Sequence, residues 1–84
     1  ELEIIKPGNG EKHKSTGHGY KVLGQTEPGA VVFVNEQLAL VSLDGSFSAS
    51  IRLERGSNEI KVVAKDAAEN ETEEKVYIEF EKIE

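Results

Sequence analysis

Turn chemistry recurs along this chain at intervals of about 8–12 residues, and between the turns lie short runs of Val, Ile, Leu and Phe. Pro28-Gly29, Asn35-Glu36, Asp44-Gly45, Gly56-Ser57-Asn58 and the cluster over 66–70 supply the punctuation. Within the runs, Phe47, Ala49, Ile51 and Leu53, then Ile60, Val62 and Ala64, then Val76, Ile78 and Phe80 alternate with polar neighbours, which is the period-two signature of a strand with one buried face. The pattern predicts an all-β sandwich of about seven antiparallel strands, over 2–6, 20–25, 31–34, 37–43, 47–53, 58–65 and 76–80, with no helix. Residues 7–19 are rich in Gly, Ser, Lys and His without periodicity. They read as a long loop, with 8–19 expected to be the most mobile internal segment of the chain.

Eighty-four residues make a single domain over 1–84, near the lower size at which a core forms without disulfides or metal. The absence of cysteine excludes a disulfide scaffold and thiolate metal sites. Methionine is also absent, even at position 1, and the chain is expected to be excised from a larger protein. A formal net charge of −6 with dispersed basic residues argues against nucleic acid as a partner, since phosphate binding needs clustered Lys and Arg. No apolar run approaches the roughly 20 residues of a membrane-spanning helix, so membrane insertion is not expected. Glu69, Glu71, Glu73, Glu74, Glu79, Glu81 and Glu84 crowd the C-terminal segment, which reads as a solvated edge strand.

Three blocks carry a family resemblance: Pro28-Gly29-Ala30-x-Val32-x-Val34-Asn35, then Asp44-Gly45-x-Phe47, then Leu53-x-x-Gly56-x-Asn58-x-Ile60-x-Val62-x-Ala64-x-Asp66-x-Ala68-x-Asn70. With the opening Leu2-x-Ile4-x-Lys6-Pro7, this order resembles the bacterial immunoglobulin-like domains of the type named after domain B of glucodextranase. The resemblance covers nearly the whole chain. It implies an immunoglobulin-like sandwich, and an extracellular or cell-envelope setting as a repeat or appendage of surface proteins and polysaccharide-active enzymes. Glu36 and Glu69 stand where such domains often have glycine.

The same residues have local reasons for their positions. Pro28 presets φ and Gly29 accepts φ > 0, so the pair reverses the chain. Phe47 is the bulkiest side chain on its buried face and is expected among the most buried residues. Asn58, polar at an inward phase, is expected to satisfy backbone groups around Gly56. Asp66 and Asn70 read as turn formers bonding nearby N–H groups.

Residues with potential chemistry do not assemble into a catalytic, cofactor or metal constellation. Gly8-Asn9-Gly10-Glu11-Lys12-His13-Lys14-Ser15 lacks the second glycine and the following helix of a phosphate-binding loop. His13 and His18 lack a third metal ligand and read as solvated loop histidines. Asp44, Asp66 and Asn70 could offer oxygens to calcium, but the turn role accounts for them. The serines have no histidine held in a rigid element to act as base. Asn70-Glu71-Thr72 formally matches a glycosylation acceptor, a pattern frequent by chance.

Two function classes remain. One is a non-catalytic spacer that orients neighbouring domains of a larger surface or secreted protein; the other is an accessory module binding protein or carbohydrate. The absence of Trp and the presence of only five aromatics argue against a glycan platform. Alternation sends Val31, Phe33, Val63 and Tyr77 to the outer face of one sheet, and these four form the candidate protein contact, an apolar stripe fringed by Lys61, Lys65, Lys75 and Glu79.

Overall fold

In the computed structural model, which describes residues 2–83, nine strands and no helix form two facing sheets. The strands are β1 (Leu2–Lys6), β2 (Glu11–Ser15), β3 (Gly19–Thr26), β4 (Val31–Val34), β5 (Gln37–Leu38), β6 (Leu40–Val41), β7 (Ser46–Arg52), β8 (Gly56–Lys65) and β9 (Glu71–Lys82). One sheet has the order β1-β3-β7-β6 and the other β2-β9-β8-β4-β5. The immunoglobulin-like sandwich expected from the turn spacing is present, with nine strands instead of seven.

The extra strands arise at two places. Residues 11–15, read as loop, form β2, which pairs in parallel with β9 from Glu11↔Ile78 to Ser15↔Lys82. The sandwich is therefore not wholly antiparallel. Its polar sequence conceals a strand because this edge is half wet: Glu11, His13 and Ser15 are half-buried while Lys12 and Lys14 are exposed. The single run expected over 37–43 divides at Ala39. Gln37 and Leu38 pair with β4, whereas Leu40 and Val41 pair with β7 in the other sheet. Ala39 itself is buried, and its N–H donates to the Val32 carbonyl, so this small residue is the point where the chain changes sheets.

β2 covers only part of the acidic C-terminal segment expected as an edge: over 78–82 β9 lies between β2 and β8, whereas over 71–76 its partner among the described residues is β8 and it is the solvated edge that the sequence suggests. Glu71, Glu73, Glu79 and Glu81 alternate to the outer face, and Glu74, at the opposite phase, is also exposed. Val62, Ile60, Ile78 and Phe80 face the core with Val22, Val32, Val34, Phe47 and Leu53. All of these are essentially inaccessible to solvent, and burial of such side chains stabilises the fold by about 1.5–3 kcal/mol each.

Phe47 sits directly opposite Gly24 on β3. A Cβ at Gly24 would overlap the Phe47 ring and crowd the Glu3 carbonyl, so the glycine makes room for the ring across the ladder. At the β4–β5 reversal, Asn35 and Glu36 have φ of 49° and 68°, the doubly positive geometry of a type I′ hairpin. Glu69 likewise sits at φ 67°. Both glutamates thus occupy left-handed backbone that glycine would adopt without strain.

Register fixes where the chain enters and leaves the body. Leu2 pairs with Thr26, beside the turns at 27–30, 42–45 and 66–70. Lys82 pairs with Ser15, beside the turns at 16–18 and 53–56. The principal extents are 46 × 19 × 18 Å. The 12 residues of β9 account for about 40 Å at the usual rise, so the long axis follows the strands and Leu2 and Lys82 mark opposite poles.

Candidate functional site

The outer face of the five-stranded sheet receives all four residues of the expected stripe, but it does not bring all four together. Phe33 pairs with Val63 on one side and Leu38 on the other, and Val31 lies two positions along β4. Phe33 and Val31 are exposed and Val63 half-buried. Tyr77 instead pairs with Glu59. The Lys61↔Lys75 row separates it from Val63, and its hydroxyl donates to Glu59 Oε2 at 3.2 Å. The contiguous apolar patch is therefore Val31, Phe33, Val63 and Leu38, with Tyr77 apart. Leu38 belongs to it because β5 folds back through the Asn35-Glu36 turn in register with Phe33, a neighbour that alternation within single strands does not supply.

Charges frame this patch as a lattice. Lys61 reaches Glu73 at 3.9 Å, and Lys75 reaches Glu59 and Glu73 at 3.7 Å each. These half-exposed pairs add little stability. They do order the rim around a shallow depression lined by Phe33, Glu36, Lys61 and Val63.

The opposite outer face has a different composition. Ser46, Ser48 and Ser50 alternate outward on β7, flanked by Leu23 and Lys21 on β3 and Leu40 on β6. With Ile5, the two leucines line a second shallow depression.

Neither histidine is simply solvated: His13 lies on β2 and His18 in the 16–18 turn, and both are half-buried. His13 stacks on Phe80 at 5.9 Å between ring centroids and meets Tyr20 edge-on at 4.8 Å. His18 packs on Phe80 at 5.3 Å, and its Nδ1 lies 2.8 Å from the Leu53 carbonyl. A carbonyl can only accept, so Nδ1 carries the proton. Leu53 N–H in turn donates to the His18 carbonyl. Both rings thus close the lower edge of the core around Phe80. Among the described residues, no group of three His, Asp or Glu side chains is placed to hold a metal ion.

Glu11 ties the two sheets together beside these rings. Its Oε1 accepts from Gly8 N–H at 3.0 Å and its Oε2 from the Tyr20 hydroxyl at 3.1 Å. Burial, then the Glu11 hydrogen bond and charge, raise the Tyr20 hydroxyl above its ordinary pKa, so it remains a neutral donor. Asn9 Oδ1 accepts from Tyr77 N–H at 3.0 Å while Gly10 N–H donates to the Tyr77 carbonyl at 2.7 Å. This side chain acts as one more rung at the start of the β2–β9 ladder.

The turn residues behave as their types require. Asn58 Oδ1 accepts from Glu54 N–H, and its amide donates to the Glu54 and Gly56 carbonyls. Asp66 accepts from the N–H groups of Ala68 and Asn70, chiefly the latter, which holds its carboxyl below the usual range. The Ser46 N–H, followed by the Ser46 hydroxyl, does the same for Asp44.

Two facing sheets, a change of sheet centred on Ala39 and the parallel pairing of β2 with β9 define an immunoglobulin-like β-sandwich. Within that class the chain belongs to the family described as glucodextranase, domain B, whose model matches residues 1–82. It is 54% identical over 78 residues to Bacillopeptidase F of Bacillus subtilis (strain 168), covering 93% of this chain and 5% of that protein. The chain therefore spans a small part of that relative's length. The solved fibronectin(III)-like modules of Clostridium thermocellum CbhA share the fold, with a TM-score of 0.69 at 15% identity and full coverage of both chains.

Proposed function

We propose that this domain is a non-catalytic spacer that sets the distance and orientation of its neighbours in a larger surface or secreted protein, in an extracellular or cell-envelope setting. The observation that carries this reading is the placement of Leu2 and Lys82 at opposite poles of a body 46 Å long. Polypeptide joined at the two ends departs in opposite directions, and nine paired strands stiffen the segment between. Support also comes from the family, named for one domain of glucodextranase, and from the 5% share of Bacillopeptidase F that the match occupies. Fusing a fluorescent reporter to each end and measuring the distance distribution by energy transfer tests the proposal. A narrow distribution centred beyond the long dimension of the domain is expected; a broad one, like that of a Gly/Ser linker of equal residue number, overturns it.

A second reading rests on the patch of Val31, Phe33, Val63 and Leu38. An apolar cluster on a domain with this charge density has the composition of a protein contact. In a longer chain bearing the domain, Phe33→Glu is expected to leave the fold intact and weaken docking of protein on this face; unchanged docking removes the patch from the mechanism.

A further inference from the structure

We propose that Asn9-Gly10 is a covalent modification site, shielded while β2 is paired with β9, at which the Asn9 amide is converted to aspartate and isoaspartate once that pairing opens. The inference is independent of the spacer reading.

The sequence places the two reactants side by side. Ring closure joins the Gly10 main-chain nitrogen to Asn9 Cγ; the proton of that nitrogen leaves with the side-chain amide as ammonia, and a five-membered succinimide remains. Water then opens the ring at either carbonyl, giving aspartate or, with the main chain rerouted through the side-chain carbon, isoaspartate. No oxidant or cofactor enters. Glycine after the asparagine favours the step, because it has no Cβ to hinder the approach and its backbone rotates freely. Asn35, Asn58 and Asn70 are each followed by glutamate, so Asn9 is the most reactive asparagine that the sequence offers. Residues 8–10 are exposed, and water reaches the site.

The fold holds both reactants away from the reaction. Gly10 N–H donates to the Tyr77 carbonyl at 2.7 Å, and Asn9 Oδ1 accepts from the Tyr77 N–H at 3.0 Å. Loss of the Gly10 proton would forfeit the first bond, and turning Cγ back onto its own following nitrogen would break the second. Gly10 also sits at φ 82° in a turn closed by Glu11 N–H on the Gly8 carbonyl, which restricts the rotation that ring closure requires. Tyr77 therefore guards both atoms, and the reaction proceeds through the fraction of chains in which the start of β2 has opened locally. The product acts back on the pairing. Isoaspartate adds a main-chain carbon between positions 9 and 10, so Gly10 no longer meets Tyr77 in the register that continues to Glu11↔Ile78.

Peptide mass mapping of the 84-residue chain, incubated in mildly alkaline buffer with and without denaturant, tests the proposal. Replacement of an amide NH2 by OH raises the mass, which separates Asn9 from isomerisation at Asp44-Gly45, a reaction that leaves mass unchanged. The native chain is expected to react at least ~10-fold more slowly than the denatured one, and the denatured chain at Asn9 before any other asparagine. His13→Ala, which removes the ring packed on Phe80 and Tyr20, should speed the native reaction. If that variant does not fold, wild type below its unfolding transition should show modification rising with denaturant in step with exchange of the Gly10 amide. Refolded chains carrying isoaspartate should lose amide protection across 10–15, whereas Asn9→Asp, which keeps an acceptor for the Tyr77 N–H, should retain it. Equal rates in native and denatured chains, preferential reaction at another asparagine, or full protection of β2 in the isoaspartate product overturns the proposal.

Discussion

Phe47 shows how one residue's role can be only half visible before folding. Its place on a buried face follows from alternation, and it is 3% exposed. Its dependence on Gly24 does not, because the overlap a Cβ would create arises from the β3–β7 register. Phe47→Ala is expected to cost about 3–5 kcal/mol in chemical denaturation. The two strained glutamates work in the other direction: Glu36→Gly and Glu69→Gly each relieve a left-handed conformation and are expected to raise stability by about 0.5–1 kcal/mol, the relief being offset in part by greater freedom of the unfolded chain. Asp66 has a folded pKa held down by the Asn70 N–H. Its contribution is therefore present above the unfolded carboxylate pKa and is lost as pH falls through the lower folded value. Denaturation midpoints measured from about pH 5 to about pH 2 should show a shallower acid limb for Asp66→Asn than for the wild type. The turn role of Asp66 and Asn58 was readable from side-chain chemistry next to turn positions; the positions of Leu38 and Tyr77 relative to Phe33 were not, since both depend on pairing between strands.

At the level of elements, apolar alternation identified the strands that cover the core and missed the one that covers its edge. β2 has no apolar residue facing inward: Glu11 bonds Tyr20, His13 packs on Phe80, and Ser15 accepts the Ile83 N–H through its carbonyl. Its partner is also parallel, a pairing that a reading in consecutive hairpins does not generate. The division of 37–43 at Ala39 was concealed for a related reason, since both halves remain extended and only their partners change. If Asn9 starts the β2 ladder as its bonds to Tyr77 indicate, Asn9→Ala should leave a donor unpaired at the strand's entrance and raise amide exchange across 10–15 well above that of β8. Equal protection in variant and wild type would show that the Gly10 bond and the packing of His13 hold the strand unaided.

At the scale of the whole molecule, the strands, the long axis and the path from Leu2 to Lys82 all run in one direction, and this arrangement has a mechanical meaning. Tension applied at the two poles draws β2 toward one end and β9 toward the other. The hydrogen bonds between them, parallel and in register over Glu11–Ser15, are then loaded together in shear instead of being peeled apart one at a time. β1 against β3 is loaded in the same sense. A short polar strand that adds little to the buried core thus becomes the clasp that must rupture before the sandwich can be stretched, and the resistance of the domain to pulling is set at its wet edge more than at its apolar centre.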